Sequence, residues 1–189
     1  ELLRTQRERL AGVEQAFFDT RARVGAINEQ ILLQPHETVE SATLLVSGMV
    51  DALLSAPEVA IQVISGKAGS EDLYIHSLNV MVLAMLLGRK QGLPADRVSL
   101  LGLGALFHDV GLAGAMSASR LACSLQDGDR VREQHCRIGS EIAARAGLPP
   151  EVQTMILQHH EHADGSGFPL HLKGEQIDAL ARIVALANH

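Results

Sequence analysis

The residues best able to do chemistry in this 189-residue chain come in adjacent pairs. His159 and His160 precede Glu161 and a glycine-rich stretch, Asp164-Gly165-Ser166-Gly167-Phe168-Pro169, and His108-Asp109 lies upstream. Consecutive helical residues diverge by about 100° around the axis, so both reach one target only when it sits close against the helix. A bound metal cluster meets that condition. Imidazole with carboxylate suits first-row ions such as iron, manganese or zinc, and a shared carboxylate can bridge two of them. His76 and His135 complete the set, each in or at the end of a predicted helix. A lone buried histidine is more often bonded to a carbonyl than to a metal; the adjacent pairs alter that balance.

These side chains must be positioned by helices. Residues 2–33 read as one proline-free helix with a charged outer face. Leu3, Leu10, Phe17, Val24 and Ile31 recur every seven residues, with Val13 and Ile27 at the d-like positions. That pattern suits a coiled-coil seam or, equally, an amphipathic helix packed on its own domain. Gln34-Pro35-His36 breaks it, and Thr38 or Ser41 starts a second helix that runs to Ser55. A short apolar stretch, Val59 to Ile64, follows.

Helical patterns then cover Ser70 to Gln91, Ala95 to Val110, Asp127 to Ala146, Pro149 to His160, and Glu175 to the end, punctuated by proline in front and glycine behind. No run alternates at period two. The expected fold is all-α: a helical bundle preceded by a long N-terminal helix. Residues 1–69 form the N-terminal helical segment, a coiled-coil or dimerisation region, and residues 70–189 form the metal-binding domain. Helices of a bundle can converge on one interior metal site.

Composition narrows the partners. The net charge is −6 and the lysines are Lys67, Lys90 and Lys173, which argues against DNA or RNA duplexes. Phe17, Phe18, Tyr74, Phe107 and Phe168 are the aromatic residues, too few for a base-stacking platform. Cys123 and Cys136 have no CxxC spacing and read as reduced thiols of a cytoplasmic protein. Val98 to Met116 is apolar, but the ionisable pair at its middle favours a buried helix over a membrane span. The chain begins without methionine and stops inside an apolar run, which reads as a piece of a longer protein.

Tyr74-Ile75-His76-Ser77, Phe107-His108-Asp109-Val110-Gly111, His135 with Gly139, His159-His160-Glu161 and Asp164 to Pro169 resemble, in order and spacing, the motifs of the HD-GYP family. The resemblance covers about residues 70–189. It implies the helical bundle of the HD superfamily, a di- or trinuclear iron or manganese centre, and hydrolysis of cyclic di-GMP in bacterial signalling. One ion would sit on His76, His108, Asp109 and the position of Asn188. The other would take His135, His159 and His160, with Asp109 bridging and central to catalysis.

Asp72, four residues before His76, shares its helical face. It matches the place where some members supply an acidic ligand to a third ion, or is simply a helix-terminal charge. Gly165, Gly167, Phe168 and Pro169 would form the substrate side. Their glycines permit close backbone approach to a ligand or a tight turn. Asp164 either holds that turn or touches substrate. Such a centre would activate water for in-line attack on the phosphodiester, giving a linear product.

The chain departs from the family at Phe168, Leu112 and Asn188. Phe168 keeps the ring of the usual tyrosine but not its hydroxyl. Leu112 replaces a lysine that helps hold phosphate. Asn188 replaces an aspartate, and a neutral amide oxygen binds a hard cation more weakly. One ion is therefore expected to bind tightly and the other weakly. The reading is a cyclic di-GMP phosphodiesterase. Its alternatives are a degenerate module that binds cyclic dinucleotide or a protein partner with little hydrolysis, and an oxygen- or redox-sensing metal centre. The N-terminal heptads imply a homodimer or a fused sensor or input domain. His36, His162 and His171 read as loop residues.

Overall fold

The computed structural model describes residues 19–55, 73–112 and 128–189. It is all-α, as the periodicity predicts. Helix α1 covers residues 19–30, followed by α2 (Pro35–Ser55), α3 (Leu73–Lys90), α4 (Ala95–Phe107), α5 (Gly128–Arg145), α6 (Pro150–Gln158) and α7 (Ala179–Asn188). A single turn of 3-10 helix, Gly174–Gln176, precedes α7. Among the described residues, the only β pairing is an isolated bridge between Asp164 and Lys173.

Local chemistry explains the boundaries. Pro35 opens α2 several residues before the predicted start, at a first-turn position where its missing N–H is not needed. α7 begins at Ala179 rather than Glu175, because the Asp178 carboxylate accepts hydrogen bonds from Leu180 N (2.8 Å) and Ala181 N (3.2 Å). That caps two otherwise unpaired N–H groups. α4 and α6 stop before their chemical pairs, so His108-Asp109 and His159-His160 occupy the turns that follow the helices, not helix interiors.

The sequence α3 needs little amphipathicity, since Ile75, Leu78, Val80, Met81, Val82, Ala84 and Met85 are all buried. α4 is likewise buried from Leu101 to Phe107. Helices apolar on most faces belong at the centre of a bundle. α3 and α4 pack on each other, with α7 against α3, α2 and α6 against α4, and α5 against α6. Val24, Ile27 and Ile31, the last members of the heptad series, are buried in this same core. Over residues 24–31 the apolar seam therefore faces the chain's own domain; Leu3, Leu10, Val13 and Phe17 lie outside the described residues. No helix among the described residues is long and apolar enough to cross a membrane.

Candidate metal centre

α3 and α4 run antiparallel, so the start of one meets the end of the other. His76 near the start of α3 thereby reaches His108, with their Nε2 atoms 3.2 Å apart. α5 brings His135 to the same point. Its crossing with the turn after α4 is close: a Cβ on Gly111 would lie 1.9 Å from the His135 carbonyl oxygen, and one on Gly139 would lie 3.2 Å from Gly111 N. Only glycine at position 111 permits that approach. The ends of α6 and α7 supply His159, His160 and Asn188.

Asp109 lies at the centre. Its Oδ2 is 3.2 Å from His108 Nε2 and 3.9 Å from His76 Nε2, while Oδ1 is 3.4 Å from His135 Nε2 and 3.6 Å from His159 Nε2. The donor atoms fall into two groups, each within 4.8 Å: His76, His108 and Asp109 in one, and Asp109, His135, His159 and His160 in the other. Asn188 lies beside the first group, in a side-chain hydrogen bond with His76. Asp72 lies outside the described residues.

Two histidines are oriented by the same local device. His108 Nδ1 is 2.7 Å from the Ala105 carbonyl and His159 Nδ1 is 2.7 Å from the Ile156 carbonyl, each three residues back in the preceding helix. A carbonyl only accepts, so each Nδ1 carries the proton and each Nε2 lone pair is turned inward. His135 Nε2 lies 3.3 Å from His159 Nε2, and the buried His135 Nδ1 has no hydrogen-bond partner among the described residues.

Lone pairs of neutral imidazoles and a carboxylate thus converge, an arrangement that a shared cation relieves. The C-terminal ends of α4, α6 and α7 add partial negative charge. The residues fit divalent metal ions.

Electrostatics favour the ligating forms of His76, His159, His160 and Asp109. Burial lowers the His76 pKa, and His108 lowers it further. Burial also lowers that of His159, against the opposing hydrogen bond with Asp109. His160 falls to about 3, first through burial and then through His159 and His135. For Asp109, burial acts to raise the pKa, but His108, His135 and His159 outweigh it and hold the carboxyl far below the usual carboxylate range. Neutral imidazoles and an ionised carboxylate are the forms that bind metal. Cys136, with Sγ 3.6 Å from His135 Nε2, is the opposite case: burial and then Asp109 push its thiol up to about 12, so it stays protonated.

The turn after α6 closes over this centre. Phe168 N donates to the His160 carbonyl at 3.1 Å, and the two rings lie 4.7 Å apart. A Cβ on Gly167 would lie 2.4 Å from the His160 carbonyl oxygen, so the turn lies directly on the backbone of His160. Pro169 is buried, and its carbonyl accepts from Arg137 Nη2 at 2.9 Å. Gly165 sits apart from the ligands, under the stem of Lys173. Asp164 accepts from Ser166 N (2.8 Å) and Ser166 Oγ (2.6 Å), a role internal to the turn.

Sequence reasoning left Glu161 and Arg137 without roles. Glu161 is 4% exposed, and its carboxylate accepts from Leu170 N at 2.6 Å and Leu172 N at 2.9 Å, clamping the turn. Its position beside the histidine pair was the available signal. His36, His162 and His171 are exposed, with His36 in the first turn of α2 and not in a loop.

The HD domain family model matches residues 73–189. A cyclic di-GMP phosphodiesterase of Pseudomonas aeruginosa is 30% identical over 150 residues, 78% of this chain and 36% of that protein. A cyclic di-GMP phosphodiesterase response regulator of Xanthomonas campestris is 35% identical over 109 residues, 56% of this chain and 29% of that protein. A 3'3'-cGAMP-specific phosphodiesterase of Vibrio cholerae is 28% identical over 151 residues, 74% of this chain and 32% of that protein. The chain thus spans about a third of the length of these relatives. Among solved structures, an HDG"Y"P protein from Bdellovibrio bacteriovorus superposes with a TM-score of 0.74 at 22% identity, over 88% of this chain and 56% of that one, and shares the fold.

Proposed function

The chain belongs to the HD domain family, and from that premise we propose that it is a metal-dependent phosphodiesterase that opens cyclic di-GMP to a linear product. One observation carries the reading: the two oxygens of Asp109 are divided between two groups of imidazoles, as a carboxylate bridging a pair of ions requires. His76, His108 and Asp109, with Asn188 beside them, would hold one ion. Asp109, His135, His159 and His160 would hold the other. Iron or manganese suits this mixed nitrogen and oxygen set.

When bound, such ions supply Lewis acidity toward a phosphodiester and a water acidic enough to attack near neutral pH. The chain's own contribution is positional. The Ala105 and Ile156 carbonyls fix the orientation of His108 and His159. The Phe168 ring backs one face of His160.

The two ion positions are unequal. The His76 side chain is 40% exposed and that of His108 fully buried, whereas His135 and His159 on the other side are 3% and 0% exposed. The first position also has the neutral Asn188 amide. The ion at His135, His159 and His160 is therefore the tighter one. Asp72 as ligand to a third ion, and a homodimer or fused input domain preceding α1, extend the same reading.

A second reading is supported by Leu112 and Asn188: a module that binds the cyclic dinucleotide with little hydrolysis. Turnover of cyclic di-GMP decides between them, measured anaerobically with iron(II) or manganese(II) beside Asp109→Ala. Turnover lost in the variant establishes the hydrolase. Bound metal and ligand without turnover make the protein a receptor.

A further inference from the structure

A phosphodiester brings negative charge to a centre that, among the described residues, is short of fixed cations. Leu112 supplies none. Arg89 and Lys90 end α3, at the opposite pole from His76, and Arg97 begins α4, at the opposite pole from His108. Arg145 closes α5, about 15 Å along the axis from His135. Lys173 lies at the neck of the 164–173 loop, closed by its bridge to Asp164, with its stem across Gly165.

Arg137 is placed differently. It follows His135 by two residues on α5, and its Nη2 donates to the carbonyl of Pro169, in the middle of that loop. Pro169 adjoins Phe168, whose ring stacks on the ligand His160. Arg137 nevertheless remains exposed. A guanidinium has five N–H donors in a rigid fork, and one bond to a carbonyl fixes its plane while leaving the others available. Anchoring the loop is already the task of Glu161, whose carboxylate takes two backbone N–H groups from it. An exposed arginine tethered at the loop's midpoint is therefore poised to bind something outside the protein. The chemistry it matches is a phosphate oxygen pair.

We propose that Arg137 binds the substrate's phosphodiester at this centre, providing the cation that Leu112 does not. The inference rests on the phosphodiesterase reading and specifies how that site holds its substrate. It is tested by equilibrium binding of two probes, inorganic phosphate and cyclic di-GMP, to the manganese-loaded chain and to Arg137→Gln and Arg137→Lys, with metal content and thermal midpoint measured alongside.

Arg137→Gln should weaken phosphate binding about tenfold and flatten its salt dependence, at unchanged metal content. Arg137→Lys should recover part of the loss. Phosphate affinity unchanged in Arg137→Gln overturns the proposal, as does failure of the wild-type chain to bind phosphate. Metal and phosphate lost together, equally in both variants, also overturn it, since Arg137 would then be a loop anchor. If phosphate binding responds as expected while cyclic di-GMP does not bind, Arg137 keeps its role and the dinucleotide reading fails.

Discussion

Asp109 turns Oδ1 toward His135 Nε2 at 3.4 Å and leaves Oδ2 for His108 at 3.2 Å, so one carboxylate serves side chains from α5 and from the turn after α4. Removing it strips both ion positions at once. Asp109→Asn keeps the shape but halves the oxygen donors and removes the charge. Loss of a supporting residue outside the ligand set lowers metal affinity about 10–100-fold, and loss of this shared ligand should exceed that at both positions. Metal titration should find neither ion retained through desalting. Retention of one ion at wild-type affinity would refute a bridging role.

Glu161 makes a second test, because its buried carboxylate is the common acceptor for Leu170 N and Leu172 N. Charge-assisted hydrogen bonds contribute about 1.5–3 kcal/mol each, so Glu161→Ala should cost about 3 kcal/mol or more. For a chain of this size that is a fall of roughly 6–12 °C in Tm. Glu161→Gln keeps one acceptor oxygen and should lose about 2 kcal/mol. Calorimetry checks both, and an unchanged midpoint for Glu161→Ala would remove the clamp.

Gly111→Ala tests how the elements are held. Its Cβ would meet the His135 carbonyl oxygen at 1.9 Å, and backbone cannot swing aside as a side-chain tip can. The turn after α4 must then separate from α5, at about 3 kcal/mol. His108 and Asp109 would withdraw from His135, so ion affinity should fall along with stability. Denaturant unfolding and metal titration on one preparation check this together. Full metal affinity in a destabilised variant would show that the crossing does not set the site.

Much of this arrangement is legible in the sequence, and the reasons are physical. The apolar run of α4, followed by the ionisable His108-Asp109, reads as a buried helix, and adjacent pairs such as His159-His160 mark a chemical site by residue type alone. What pattern does not convey is contact across the fold. Glu161 clamps residues nine and eleven positions away through their backbone N–H groups, which no side-chain type reveals. Gly111 carries no role by its type alone until His135 is seen lying against it. The heptad series is ambiguous for the same reason: Val24, Ile27 and Ile31 fit a partner helix and their own domain equally well until the core around Tyr74 and Leu78 is in view.

The metal-free protein should lose stability in acid. Burial and the neighbouring histidines lower the His160 pKa from 6.5 to about 3, so below pH 6.5 the unfolded chain takes up a proton that the folded chain refuses. Its contribution is intact above 6.5 and declines steadily as the pH falls toward 3. Asp109 acts in the same sense at lower pH, since its depressed pKa stabilises the fold above about 4 and that contribution is lost as the unfolded carboxyl protonates. Urea unfolding in chelator at pH 7 and pH 5 should give a lower midpoint at pH 5, and His160→Gln should reduce the difference. Equal midpoints would mean that His160 is not held neutral.

Asn188 gives the most direct comparison between the two ion positions. It hydrogen-bonds His76, the most exposed of the histidines named in these contacts, and on the proposed reading gives that position a neutral amide. Asn188→Asp exchanges that amide for a carboxylate of nearly the same shape, adding a full charge beside the ion. The ion beside His76 and His108 should bind at least about tenfold more tightly, the equivalent of about 1.4 kcal/mol, while the ion on His135, His159 and His160 is unchanged. Competition with a chromogenic chelator separates the two affinities without reference to turnover. Two equally tight ions in the wild-type chain, or no gain in the variant, would show that the amide is not the weak point. A gain confined to the ion beside His76 and His108 would trace the asymmetry of the centre to this one side chain.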